Sequence, residues 1–468
     1  MQNGNEDFTR FSATRLSQLM VKGELSPVEL MRACLAQVER HNGSVNAICT
    51  LSETAMQEAH EAEQLLQQGG DLGILHGLPV GIKDVTATAG LRTTFGAPLY
   101  SQHVPEVDAV VVQRLKKAGA IVLGKTNTPE FAAGAHTVNR IFGVTRNPWN
   151  LSLSAGGSTG GGAAALATGM ICLADGTDLG GSLRVPASFC GVVGLRPSPG
   201  LVPVYPSAFP WDNLQSAGPM ARFAEDVALM LQAMCGPSPL TPSLQPAEGR
   251  DFVSAVHSKV TGTFRLAYCP NITGIDVDPQ IESVCRKAAF GMEDYGFAVE
   301  EVSLDLSFAR KSLLALRGLW MVAHHFDHLD KLEHFGKNLS GNIRAGLGVT
   351  TRELAAAEKA RARLWEIFYK FFRKWDFLLT PCTAVPPFPV DINYPETIAG
   401  KKMETYIDWI APTFVLSLTG LPAVSVPCGL DVEKLPVGLQ IVGPSFGEES
   451  VLALTKQIQE ANPLEFPP

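Results

Sequence analysis

From about residue 75 the chain alternates short, almost wholly apolar runs with segments of helical periodicity, and this alternation constrains the fold most. LPVGIKDV (78–85) and AIVLGKTN (120–127) read as buried strands, ICLADGTD (171–178) as a strand, and FRLAYCP (264–270), FAVEEVSL (297–304), DFLLTPC (376–382), PAVSVPCGL (422–430) and PVGLQIVG (436–443) as further strand candidates. Between them, 107–118, 160–170, 278–295, 306–326, 351–374 and 447–461 carry helical patterns. Strands buried on both faces and interleaved with helices predict an α/β chain with a large, mostly central mixed sheet covered by helices on both sides.

The first sixty residues read differently. Ser26-Pro27-Val28-Glu29 is a capping box with proline at the first helical position, and a second amphipathic run covers 52–67 before Gly69-Gly70. Residues 1–60 are therefore expected to be a helical arm packed on a main domain at 61–468. The stretch 236–250 is the best candidate for a long surface loop. Composition narrows the function classes. A net charge of −8 without a Lys/Arg block disfavours nucleic acid as a partner. The apolar stretch 160–174 is short and Gly/Ala-rich, so no membrane span is expected. Nine cysteines without a C-x-x-C pair, set in apolar surroundings, read as free thiols of a reducing compartment. With no basic-then-apolar leader in MQNGNEDFTRF, a cytoplasmic location is expected.

Chemistry concentrates between 156 and 200. GGSTGGG (156–162) and GTDLGGS (176–182) each set a serine beside paired glycines, with a helix-like segment following. Glycines let a reactant approach the backbone closely, and consecutive free N–H groups form a ready cradle for a developing oxyanion. Ser182 follows Leu179, Gly180 and Gly181, whose amides are the candidate donors. A serine needs a base. No histidine lies between 137 and 256 or after His334, whereas Lys83 stands in an apolar strand where burial would favour its neutral form. Lysine, a bridging serine and a nucleophilic serine make a proton relay that needs no imidazole.

These motifs resemble the amidase signature family, the Ser-Ser-Lys amide hydrolases. The resemblance covers most of the chain and is densest at 77–90, 120–133, 147–200 and 415–443. It implies that Lys83 is the base, Ser158 the bridging residue (commonly preceded by a cis peptide) and Ser182 the nucleophile. It places the oxyanion amides on Leu179, Gly180, Gly181 and Ser182. The stretch 131–136, including Ala132, falls on the family's substrate loop. Thr159 stands where a second serine is usual and Arg196 where lysine is common, which bears on pocket shape. Asp178 and Arg184 are expected to be a supporting pair. Tyr205, Phe209 and Trp211 are either loop packing or the wall of an apolar acyl or aryl pocket. His324 and His328, spaced i,i+4, are read as a helix face rather than a metal pair, with no HExxH and no third ligand.

The expected activity is hydrolysis of an amide C–N bond through an acyl-enzyme, extending to esters and to carbamates. No cofactor or metal is expected, and the partner is a small-molecule amide. Oligomeric state stays open, a homodimer being the commonest arrangement. Three alternatives stand beside this. An A-type component of a tRNA-dependent amidotransferase would act on glutamine with a tRNA-handling partner, but 310–330 lacks the tyrosine-and-arginine pattern associated with glutamine binding there. An α/β-hydrolase would need Ser158 to attack and a late histidine. A catalytically dead binding protein would need a broken relay.

Overall fold

The structure, a computed structural model, describes residues 7–243, 249–259 and 264–468. Residues 244–248 of the expected surface loop, and residues 1–6, lie outside it. Eleven strands form one mixed sheet. In chain order they are β1 (Ile48–Leu51), β2 (Pro79–Lys83), β3 (Ile121–Thr126), β4 (Leu173–Asp178), β5 (Val193–Arg196), β6 (Ser216–Ala221), β7 (Arg265–Tyr268), β8 (Ala298–Glu301), β9 (Phe377–Pro381), β10 (Ala423–Leu430) and β11 (Pro436–Val442). Their spatial order is β1-β3-β2-β4-β6-β5-β10-β11-β9-β7-β8. The stretch β3-β2-β4 is parallel, as is β9-β7-β8, while the strands between β4 and β9 run antiparallel.

Every residue of β2, β3, β6, β9 and β11 is buried. Successive strand residues point to opposite faces, so both faces of the sheet are covered. The α/β expectation is therefore met. Eight of the strands are the apolar runs picked out in the sequence; β1, β5 and β6 are additional. The N-terminal segment forms the expected helices Pro27–Val45, with its Ser26/Glu29 capping box, and Ala55–Gln67. It also supplies β1, the edge strand paired with β3. All nine cysteines are free, and all but Cys49 and Cys235 are buried.

The fold brings the chemistry to the ends of β2 and β4. Lys83 is the last residue of β2, and Asp178 the last of β4, which lies beside β2. The glycine-rich helix Gly160–Ala167 starts directly after Ser158 and Thr159. Side chains at Gly161 would meet the backbone of Asn127 at 2.3 Å, so only a glycine face lets this helix lie against the end of β3.

Candidate active site

Lys83 is fully buried, as are Ser158 and Thr159. Its Nζ lies 2.7 Å from Ser158 Oγ, 2.9 Å from Thr159 Oγ1 and 3.1 Å from Thr177 Oγ1. Three neutral hydroxyls surround it, and among the described residues no carboxylate contacts it. Burial therefore pulls the ammonium down from 10.5 to about 7, against the opposing fields of Asp175 and Asp178. Asp175 is buried too, but its oxygens accept the Lys83 backbone N–H at 2.5 Å and the Thr86 hydroxyl at 2.8 Å. It fixes the strand end and leaves the amine to the hydroxyls.

Ser158 follows a cis Gly157–Ser158 peptide. A Cβ on Gly157 would sit 2.8 Å from the His136 backbone nitrogen, so this residue must be glycine for the 134–136 loop to pass. Thr159, the departure from the usual serine, turns its hydroxyl to Lys83. Its methyl fills the space beside Gly162 and Gly176, where added Cβ atoms would meet it at 3.2 and 2.8 Å.

Ser182 shares a cavity with Ser158. That cavity is also lined by Phe131, Ala132, Gly134, Ala135, Thr177, Leu179, Gly180 and Gln215. The two serine segments touch through the Thr159 N–H, which donates to the Ser182 carbonyl at 3.2 Å. Unlike Ser158, Ser182 is only half-buried, and its hydroxyl has no hydrogen-bond partner among the described residues. Apo hydroxyl contacts of this kind commonly tighten only when substrate is seated.

The amides divide differently from the sequence expectation. The Gly181 N–H donates to Asp178 Oδ1 at 2.8 Å, so it is committed to the scaffold and is not a free oxyanion donor. The reason is steric as well as polar. Gly181 has φ +128°, and a Cβ there would lie 2.2 Å from Thr413 Oγ1. The amides of Leu179, Gly180 and Ser182 have no protein partner among the described residues.

Asp178 and Arg184 form the expected pair at 2.8 Å, both fully buried. Burial pushes the Asp178 carboxyl up, but Arg184 and Arg196, with the Leu183 N–H, outweigh it and hold the group at about 2. Arg184 also donates to Gln440 Oε1 at 2.6 Å, to Ser417 Oγ at 2.7 Å and to the Thr413 carbonyl at 3.0 Å. Arg196, in the position where lysine is common, donates to the carbonyls of Asp178, Leu214 and Ser417. The loop carrying Ser182 is thus pinned from behind by a buried ionic network, in which Arg196 Nε is left without a hydrogen-bond partner.

A profile of the family described as Amidase matches residues 29–452. The chain belongs to the amidase signature family. It is a hydrolase acting on amide bonds. An acylamidase of Rhodococcus erythropolis is 35% identical over 460 residues, covering 97% of this chain and 95% of that protein. The A component of the glutamyl-tRNA(Gln) amidotransferase of Alkaliphilus metalliredigens is 34% identical, covering 92% of each. The crystal structure of a bacterial aryl acylamidase of the amidase signature family superposes with a TM-score of 0.90 at 28% identity, covering 97% of this chain and 96% of that one.

Within this amidase, a second chamber of about 250 Å³ shares Phe131, Ala132, Thr177, Gln215 and Trp320 with the serine cavity. Tyr205 lines it, as the aromatic-loop reading allowed; Trp211 is 69% exposed and lines neither space. Of the substrate-loop stretch, His136 instead bonds Ser154 Oγ at 2.7 Å and the Val390 carbonyl.

The histidine cluster is corrected. The α-helix Arg310–His324 stops at His324, and 326–334 winds as a 3₁₀ segment, so His324 and His328 do not share one α-helical face. His324 stacks on Trp320 at 3.8 Å and His328 Nε2 meets the Tyr100 hydroxyl at 2.6 Å. Burial drives His325 down to about 3, so it is neutral. His324 and His325 line the 250 Å³ chamber. Among the described residues, no three His, Cys, Asp or Glu side chains are grouped to hold a metal, and no helix is long and apolar enough to cross a membrane.

Two groups at the site escaped the sequence reading. Thr177 was hidden in plain view inside GTDLGGS, two residues from Asp175 on the same strand face. Arg317 was the other: a charge in the middle of the apolar helix face Leu313, Trp320, Met321. Contrary to the expectation for 310–330, this arginine does meet a tyrosine, Tyr406, from a distant segment.

Proposed function

We propose that this amidase cleaves small amides with apolar alkyl or aryl groups, and the corresponding esters, through an acyl-enzyme on Ser182. Neutral Lys83 takes the Ser158 proton while Ser158 takes that of Ser182. The Ser182 oxygen bonds the carbonyl carbon, and the oxyanion faces the amides of Leu179, Gly180 and Ser182. The C–N bond breaks as the relay returns the proton to the departing amine. Water then enters by the same base and releases the acid. The observation that carries this reading is a fully buried lysine amine 2.7 Å from the hydroxyl of a serine that shares a cavity with a second, unpartnered serine hydroxyl. The apolar chamber beside it, and the likeness to an acylamidase and an aryl acylamidase, support the substrate class.

The test is intact-mass detection of an adduct formed with a slow aryl ester. Peptide mapping should place it on Ser182, and Ser182→Ala should form none. An adduct on Ser158, or one surviving in Ser182→Ala, would reject the assignment.

A second reading, an A-type component of a tRNA-dependent amidotransferase, is favoured by the 34% identity to one such protein and by the Arg317–Tyr406 contact. Glutaminase activity of the purified chain, or its dependence on a co-purifying partner, would favour it. Amide turnover by the chain alone without glutaminase activity favours the amidase.

A further inference from the structure

Among the described residues, Arg317 is the one charged side chain lining the cavity that holds Ser158 and Ser182. It is only 8% exposed. Buried guanidinium groups are ordinarily matched by a carboxylate or by several carbonyl oxygens, because an uncompensated buried charge is costly. The other buried arginines obey this. Arg184 and Arg196 flank Asp178, and Arg222 donates to the carbonyls of Leu166, Ile171 and Phe11.

Arg317 does not. Its Nη1 donates to Asn342 Oδ1 and its Nη2 to the Tyr406 hydroxyl, and its guanidinium carbon lies 5.5 Å from the Tyr406 ring centre. Both partners are neutral. Among the described residues it forms no ion pair within 4.0 Å, although fifteen such pairs occur elsewhere. The cradle is itself fixed: Asn342 Nδ2 donates to the Tyr406 hydroxyl at 2.7 Å and to the Asn338 carbonyl. A guanidinium has five N–H donors in a planar fork suited to a carboxylate, and two neutral acceptors leave both charge and donors unmatched.

We propose that Arg317 is a specificity residue that binds a carboxylate carried by the amide substrate, at the opposite end of the molecule from the carbonyl attacked by Ser182. The inference rests on Ser182 marking the reacting end. Leu179, Trp320, Met321 and Phe414 line the same cavity and would face the aryl or alkyl body that joins the two polar ends. The substrate class this defines is a monoanionic amide with an apolar spacer.

Matched pairs test it. 4-Acetamidobenzoate against 4-methylacetanilide places the carboxylate on the amine side; N-glutarylaniline against N-pentanoylaniline places it on the acyl side. In the wild type the acid of one pair should be preferred in kcat/KM by roughly 10- to 100-fold, chiefly through KM. In Arg317→Met that ratio should collapse to about 1, and Arg317→Lys should retain part of it, a point charge without the fork. Equal treatment of both members by the wild type, or a ratio that survives in Arg317→Met, overturns the proposal. Calorimetric binding of the same pairs to Ser182→Ala, with and without Arg317→Met, separates recognition from chemistry. If the acid binds preferentially through Arg317 while turnover maps elsewhere, the relay assignment fails and the carboxylate site stands. Arg317 also lines an outer cavity of about 890 Å³. Binding of the acid without competition against the neutral member would put the anion there and overturn the substrate assignment.

Discussion

Lys83 and Arg184 are both fully buried basic side chains, one at the end of β2 and the other shortly after β4, yet the protein treats them in opposite ways. Around Arg184 every donor finds an oxygen, and a carboxylate neutralises the charge at 2.8 Å. Around Lys83 there are only hydroxyls, and the two nearby carboxylates act at a distance. Asp178 is held at about 2 on one side, while the Lys83 ammonium falls to about 7 on the other. Burial sets the direction of the shift at Lys83, whereas the charged partners overturn it at Asp178. The paired side is a buried support, and the unpaired side is the one proposed to act as the base.

The contrast can be broken by substitution. The largest expected effect is on the unpaired side: Lys83→Met should lower kcat/KM by about 10⁴-fold or more, since relay members act as a unit. The fold should survive, because no charge is left without its partner. Removing the partner on the other side should reverse the balance. Arg184→Met leaves Asp178 a buried, half-paired carboxylate, and should cost about 3–5 kcal/mol in urea unfolding. Activity loss there should follow the loosening of the Ser182 loop. Similar stability for the two variants would mean that the pair is not structural.

The pH dependence sharpens the same point. In the proposed mechanism the neutral amine is the active form, so kcat/KM should rise with pH and level off above about 7. The linked effect on stability has a definite sign. The folded value lies below the unfolded 10.5, so between about 7 and 10.5 the unfolded chain holds the extra proton and Lys83 makes stability rise with pH. Lys83→Met should therefore melt higher than the wild type at pH 7, by a margin that shrinks toward pH 10. The smallest expected change comes from Asp175→Asn. Its charge favours the ammonium, so its loss should move the rising limb of the pH profile to lower pH by a fraction of a unit, measured by initial rates.

Much of this was legible in the chain itself. The apolar runs announced eight strands; most are central, buried on both faces and need no alternation, while β8, at the sheet edge, is largely exposed. β6 was not announced, since SAGPMA carries a glycine and a proline and reads as a turn. In place it pairs antiparallel with β4 along its whole length, its neighbours supplying the burial its own side chains cannot. Lys83, Ser158 and Ser182 could be picked out because glycine spacing and the absence of a suitable histidine both pointed to them. Direction could not be read: that the Gly181 amide turns back to Asp178 depends on Thr413, more than two hundred residues away. Arg317 was visible as a charge on an apolar helix face, but its lack of a counter-charge exists only once Asn342 and Tyr406 are folded against it.

The bonds from Arg184 to Ser417 and Gln440 have a consequence for biosynthesis. A ribosome emits Lys83 and both serines long before it emits the residues that lock the nucleophile's loop. Lys83, Ser158 and Ser182 thus precede in the chain the two residues, Ser417 and Gln440, that hold Arg184. By the proposed mechanism, a chain cut short before β11 lacks Gln440, one of the acceptors that hold Arg184 behind the Ser182 loop, and is expected to show no amide turnover.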